Sequence, residues 1–234
     1  MVGRSHCNGR CYTYRNGCKQ MKNKTFILVF SLLNILLIPF VHGQSKSYKA
    51  LSNNEIVTLQ QNMQQATAKL KSLQADFVQT KNSTLFAEPS IQNGKLYFHA
   101  PSDLCWQYIT PNRMSIVMHN DEMVIKTVKE NTINAPKGVQ EMIQLICNAI
   151  NGNFLAHAEL FDIQYYKDKN YILYLVPKQK RLKNMYQNIV IFLGEQHYIA
   201  DKVILTEQNG DETSIIFKNQ KINESIPESY FSTK

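Results

Sequence analysis

Between Gly94 and Pro111 apolar and polar residues alternate through two successive runs. Leu96, Phe98 and Ala100 alternate with Lys95, Tyr97 and His99, the period of two that marks a strand with one buried face. Pro101-Ser102-Asp103 breaks the run, and Leu104, Trp106 and Tyr108 then resume it against Cys105, Gln107 and Ile109. The pair predicts a hairpin with a large apolar and aromatic face. Upstream, Leu73, Ala75 and Phe77 alternate with Gln74, Asp76 and Val78, with a polar loop over Lys81 to Asn93. Downstream, Met114, Ile116 and Met118 predict a strand that turns at Asn120-Asp121 and returns as Met123, Ile125 and Thr127. Phe161, Ile163 and Tyr165 pair through a turn at Lys167 to Asn170 with Tyr171, Leu173 and Leu175. Ile189, Ile191 and Leu193 form another run, and Val203 with Leu205 leads through Asn209-Gly210 into Thr213, Ile215 and Phe217. Asn-Gly is a strong hairpin signal because both residues tolerate the left-handed backbone of tight turns. Roughly ten strands joined by short turns, with no strand-helix-strand alternation, predict one antiparallel sheet, curled or partly closed.

Two segments carry the helical period instead. Asn53-Asn54-Glu55 can cap a helix running to about Ser72, whose stripe is Ile56, Leu59, Met63, Ala66 and Leu70. Val139, Met142, Ile143, Ile146, Cys147 and Ile150 mark a second, with Pro136 placed for its first turn and Gly152 for its end. The fold class is therefore mainly β (α+β), with two helices available to cover the sheet's apolar face.

The first residues follow neither pattern. Lys22 and Lys24 precede an apolar stretch from Thr25 to Val41 that ends in Val41-His42-Gly43, the layout of a secretory signal peptide cleaved near Gly43. Asn34 and Pro39 interrupt the stretch, which falls short of the ~20 apolar residues of a membrane span. Residues 1–20 form an extension ahead of a start at Met21, residues 21–43 the signal, and residues 44–234 a single domain. Cys7, Cys11 and Cys18 in the extension lack a fourth ligand at zinc-like spacing. The whole chain has a net charge of +8, but residues 1–43 hold six basic residues and no acids, so 20 basic and 18 acidic residues remain from Gln44. Net +2 is no basic field for nucleic acid or an anionic membrane. The basic cluster Lys178 to Lys183 reads as a solvated turn between strands, with a lipid headgroup or partner as the alternative.

Catalytic chemistry finds no foothold. His99, His119, His157 and His197 are scattered, without ligand spacing and without a paired cysteine or carboxylate. Asp121-Glu122 and Asp211-Glu212 fall at turns, where solvation explains them better than acid-base work. Ser115 and Ser214 lack a nucleophile context. No cofactor and no enzymatic activity are expected. Cys105 and Cys147 are the cysteines left after cleavage; alternation puts Cys105 on the face away from Trp106, so a bridge to a helix covering the Trp106 face is not expected.

Periodicity leaves two readings of the aromatic face open, an ordinary packed core or the lining of a hollow for a hydrophobic ligand. The order of motifs bears on the choice. LQADFVQT (Leu73 to Thr80), GKLYFHAP (Gly94 to Pro101), LCWQYITP (Leu104 to Pro111), INGNF (Ile150 to Phe154), YLVPK (Tyr174 to Lys178), TSIIF and N-x-x-I-P-x-x-x-F ending at Phe231 follow one another. From about Asn53 to Phe231 this series resembles the LolA family of periplasmic outer-membrane lipoprotein carriers, in the form found in Bacteroidetes-type bacteria. The resemblance implies an unclosed antiparallel β-barrel with helices forming a lid over its concave hydrophobic face. It also implies a monomeric periplasmic carrier that takes lipoproteins from an ATP-driven inner-membrane complex, holds their acyl chains and passes them to an outer-membrane acceptor. On this reading Phe77, Leu96, Phe98, Leu104, Trp106, Tyr108, Met114, Ile116 and Met118 line the acyl cavity, and Met63, Val139, Met142, Ile143, Ile146 and Ile150 belong to the lid. Many members have Arg before the proline of the first hairpin or before the tryptophan; here those places hold Ala100 and Cys105. The rival readings are a lipid-anchored receptor of the same fold, for which no lipobox cysteine follows the apolar stretch, another hydrophobic-ligand-binding module of that fold, and an enzyme or sensor that reuses it.

Overall fold

The computed structural model describes residues 48–120, 122–128, 132–151 and 158–233. The signal, the extension before it, Asp121, Gly152, His157 and most of INGNF lie outside the described residues. Ser47–Lys234 forms one compact unit.

The alternating runs become strands of one antiparallel sheet. In chain order these are β1 (Lys49–Ala50), β2 (Ser72–Asn82), β3 (Ser90–His99), β4 (Asp103–Thr110), β5 (Met114–His119), β6 (Glu122–Thr127), β7 (Thr132–Asn134), β8 (Phe161–Lys167), β9 (Tyr171–Pro177), β10 (Tyr186–Leu193), β11 (Ala200–Glu207) and β12 (Glu212–Ile222). Their spatial order is β1-β8-β9-β10-β11-β12-β2-β3-β4-β5-β6-β7, so β1 and β7 are free edges and the barrel stays open. Helices α1 (Asn53–Ala68), α2 (Lys137–Asn151) and α3 (Lys180–Met185) complete the fold.

Several expectations change. β2 and β3 run to Asn82 and from Ser90, so the loop expected over Lys81 to Asn93 shrinks to a hairpin tip. Polar Gln79 and Gln92 still extend the ladder because backbone pairing does not depend on side-chain polarity; their side chains bond across it at 3.1 Å. The stretch before α1, expected to be loose, includes β1, which pairs with β8 through Lys49↔Lys167 and Ala50↔Tyr166. α1 ends at Ala68 rather than Ser72, as Ser72 is drawn into β2 beside His99. Its cap is Ser52, whose N–H and hydroxyl both donate to Glu55 Oε2, at 2.8 and 2.7 Å. The basic cluster is not a plain turn: Lys180–Met185 is a short helix with Leu182 buried beneath it.

The Asn-Gly turn is present in a form set by its backbone. Gly210 has φ +87° while Asn209 does not enter the left-handed region, and Glu207 N–H donates to Asp211 O. This is the pattern of a longer turn closed by a glycine bulge.

Candidate functional site

Register decides which side chains share the concave face. Leu96 pairs with Ala75 and Trp106, Trp106 with Ile116, and Ile116 with Ile125, giving a continuous row across five strands. The neighbouring row joins Leu73, Phe98, Leu104, Met118 and Met123. Phe77 pairs with Gly94 and Phe217, and Tyr108 with Gly94 and Met114. All nine residues expected along the cavity therefore lie in one apolar cluster, with Leu96, Phe98, Leu104 and Trp106 fully buried and Met114 half-buried at its edge.

Phe77 is the centre of an aromatic group. Its ring stacks on Trp106 at 4.0 Å and meets Tyr108 edge-on at 5.4 Å, while Phe217 approaches Trp106 edge-on at 6.1 Å. The close stack is possible because position 94 has no side chain: a Cβ there would overlap the Phe77 ring and the Gln107 carbonyl oxygen. The Tyr108 hydroxyl donates to Gln79 Oε1 at 3.0 Å, and burial raises its pKa, opposed by the Trp106 side chain beside it and then by Gln79. Trp106 Nε1–H is buried and meets no well-formed hydrogen bond among the described residues, its polar neighbour being the Tyr108 hydroxyl.

The helices close this face. The α2 stripe places Ile143, Ile146, Cys147 and Ile150 in the same cluster as Trp106 and Phe98, with Val139 and Met142 half-buried. Leu59 and Met63 of α1 join it too, and Gln60 and Asn62 donate to the Tyr165 and Tyr198 hydroxyls at 2.9 and 3.1 Å, fastening α1 over the β8–β11 half. Polar ties of α2 are at its start: Ala135 N–H donates to Met123 O, Gln140 donates to Ala135 O, and Glu141 pairs with Arg181 of α3. Where Val139 and Met142 meet Met185, Tyr186 and the β11–β12 turn, a cavity of about 460 Å³ opens at the rim. Burial, then the nearby Glu207 and Glu141 carboxylates, pushes the Tyr186 phenol up to about 12.

The other side of the sheet has a core that sequence reasoning missed. Tyr97, Cys105, Val117 and Val124 occupy the opposite phase of the alternation, yet all are buried beneath the C-terminal segment through Ile226, Tyr230 and Phe231. Tyr230 stacks on Tyr97 at 3.9 Å. The available signal was β5, MSIVMH, whose unbroken apolar run fits burial on both faces. Cys105 and Cys147 are both free thiols and sit in separate cores on opposite sides of the sheet, as the alternation implied.

Two polar groupings also differ from expectation. Asp211 is buried, not solvated: Thr84 N–H donates to it at 2.8 Å, the Ser83 and Thr84 hydroxyls add bonds, and these hold its carboxyl below the usual range. His119 Nδ1 lies 2.9 Å from Asp103 and His99 Nδ1 lies 3.9 Å from it, so two histidines do share a carboxylate. Among the described residues no group of His, Cys, Asp or Glu is arranged to hold a metal ion, and no helix is long and apolar enough to cross a membrane.

No curated protein sequence matches the chain. Similar solved structures include a LolA superfamily protein from Nitrosomonas europaea (9% identity, TM-score 0.44, covering 75% of this chain and 96% of that one). Another is the lipoprotein LppX of Mycobacterium tuberculosis (9%, 0.45, covering 75% and 99%). A third is the MucA/MucB complex of Pseudomonas aeruginosa (11%, 0.49, covering 76% of this chain and 60% of that one). The family profile described as "Outer membrane lipoprotein carrier protein LolA" matches residues 68–234. A profile match that takes in every strand from β2 to β12, on an open antiparallel sheet capped by helices, makes this chain a member of the LolA family.

Proposed function

We propose that this protein is a periplasmic carrier that shelters the acyl chains of lipoproteins between the membranes. On this reading it receives them from an ATP-driven inner-membrane complex and yields them to an outer-membrane acceptor. The observation that carries the reading is the occupancy of the concave face. Ile143, Ile146 and Ile150, each at most 1% exposed, fill the same apolar cluster as the Phe77–Trp106 stack. At ~1.5–3 kcal/mol for each fully buried large side chain, this contact holds the empty sheet shut. An acyl chain entering the face displaces α2 and forfeits that contact, which lowers its net affinity and lets cargo move on without ATP at the far membrane. Met63 and Met142, unbranched and polarizable, suit a surface that repacks between the two states.

Two measurements test this. Protein recovered from cells without detergent should release acylated material on mass spectrometry; empty protein, or one holding only a soluble metabolite, argues against a lipid carrier. Ile143→Asp should weaken closure and raise binding of an apolar dye while the sheet stays folded. Global unfolding with no gain in dye binding at any temperature would make α2 ordinary core.

A further inference from the structure

The register brings the β2–β3 tip, the β4–β5 turn, the end of β6, the β11–β12 turn and α3 to one end of the sheet. Lys81 faces Ser90, Asn82 faces Glu212, Tyr186 faces Glu207, and Met114 faces both Tyr108 and Thr127. Three of the most exposed large apolar side chains stand at this end: Leu85 at 82%, Phe86 at 73% and Val128 at 71%. An isolated exposed leucine needs no explanation, but adjacent Leu and Phe held at a projecting tip do.

The tip is held out by design of its base. Asp211 accepts from Thr84 N–H and from the Ser83 and Thr84 hydroxyls, and Lys81 bonds Glu207 at 2.7 Å. Gly210 suits the turn through its φ of +87°, and a Cβ there would meet the Thr84 methyl at 3.4 Å. Gln208 then donates to Lys183 O at 2.6 Å, so the tip, the Asn-Gly turn and α3 form one braced rim. Leu85 and Phe86 follow directly on the braced residues Ser83 and Thr84 and stand exposed.

Away from the tip, the exposed charge at this end that has no ion pair among the described residues is mainly basic. Arg113, Lys180 and Lys183 are exposed and make no ion pair among the described residues, while Lys178 and Arg181 pair with Asp162 and Glu141. Glu88 lies on the tip itself, so the attraction has to come from α3 and the β4–β5 turn. Apolar side chains projecting from rigid turns, flanked by cations, suit a surface that yields to insertion and carries negative headgroups. A protein partner would instead call for an interface core depleted in lysine, which is the residue that stands here.

We infer that this rim docks on an anionic phospholipid surface, with Leu85 and Phe86 entering the headgroup region and Lys180, Lys183 and Arg113 facing phosphates. The start of α2 and the cavity beside it lie at the same end, lined by Gly138, Val139 and Met142 against the β11–β12 turn, so docking brings the edge of the covering helix to the bilayer.

The test uses the unit from Ser47 to Lys234, which contains both cores and omits the apolar leader. It should co-sediment with vesicles of phosphatidylethanolamine and phosphatidylglycerol, less with phosphatidylcholine alone, and less again in high salt. Leu85→Ser with Phe86→Ser, and separately Lys180→Glu with Lys183→Glu, should each weaken vesicle binding by about tenfold or more with near-ultraviolet circular dichroism unchanged. Both variants should keep acyl cargo. Lost vesicle binding by the parent unit with cargo retained would overturn the docking inference and leave the carrier reading intact. Vesicle binding by the Leu85/Phe86 variant equal to the parent's would overturn it, as would a change confined to self-association on gel filtration.

Discussion

Gly94→Ala is the smallest change that should disrupt the centre of the concave face. The added methyl has no free space: on one side is the Gln107 carbonyl oxygen of β4, on the other the Phe77 ring, itself 1% exposed and stacked on Trp106 at 4.0 Å. Either β4 moves away from β3 at the irregularity between Asn93 and Gly94, or Phe77 leaves the stack. Overpacking of a close-packed interior costs ~1–3 kcal/mol, and full loss of a buried Phe contact reaches ~3–5 kcal/mol. Against this, alanine gains ~0.4–1 kcal/mol by restricting the unfolded chain. A net loss of about 3 kcal/mol is expected, and with a urea slope of ~1–3 kcal/mol/M the midpoint should fall by about 1–3 M. Trp106 is the sole tryptophan, so its fluorescence reports both unfolding and the state of the stack. Adding Phe77→Ala should cost much less in the Gly94→Ala background than alone, because both changes remove one contact. A midpoint unchanged or raised by Gly94→Ala, or strict additivity in the double variant, would refute the reasoning.

Other perturbations reach the outer parts of the molecule. Asp211 has a carboxyl pKa lowered chiefly by the Thr84 N–H, so its contribution is fully present above the ordinary value of 3.8 and is lost as pH falls through the lowered one. Asp211→Asn should therefore lower the melting temperature at pH 7 and converge with the parent in strong acid; a gap that persists there would show that charge is not the cause. Burial pushes the Cys105 and Cys147 thiols up to about 11 and about 12, so in the native unit from Ser47 to Lys234 both should alkylate slowly at pH 8, and quickly once it is unfolded, with two thiols counted. Phe231→Ala, which empties a site only 2% exposed, should cost ~3 kcal/mol and speed alkylation of Cys105 while leaving Cys147 protected. Equal acceleration at both would mean that the tail is not a separate cover.

The parts of this fold that were legible in the sequence are those where one face is apolar and the other polar. Leu96, Phe98, Leu104, Trp106 and Ile116 announce their face by alternation, and Ile143, Ile146 and Ile150 by helical spacing, because burial on one side leaves a period. Where that asymmetry is absent the signal fades. Val117 and Val124 are buried on the reverse side by a tail more than a hundred residues away in sequence, and no local pattern encodes such a cover. β1 and β7 are two and three residues long and exposed, too short to show any period. Asp211 looks like a turn carboxylate because its partners, Ser83 and Thr84, come from another hairpin. Gly94 reads as a strand start, and only the ring above it shows why no side chain is tolerated there.

The pairing of β2 with β12 has a bearing on how the chain is made. Phe77 faces Phe217 and Leu73 faces Ile222, so the ladder at the middle of the sheet joins segments from opposite ends of the domain. Each half can form hairpins as it emerges, but neither finds its central neighbour until the last strand exists. Closing so long a loop is slow, and contacts of high sequence separation are formed late. A chain wired this way can complete its central ladder only once its last strand has been made, so the two halves wait on each other however early their own hairpins form.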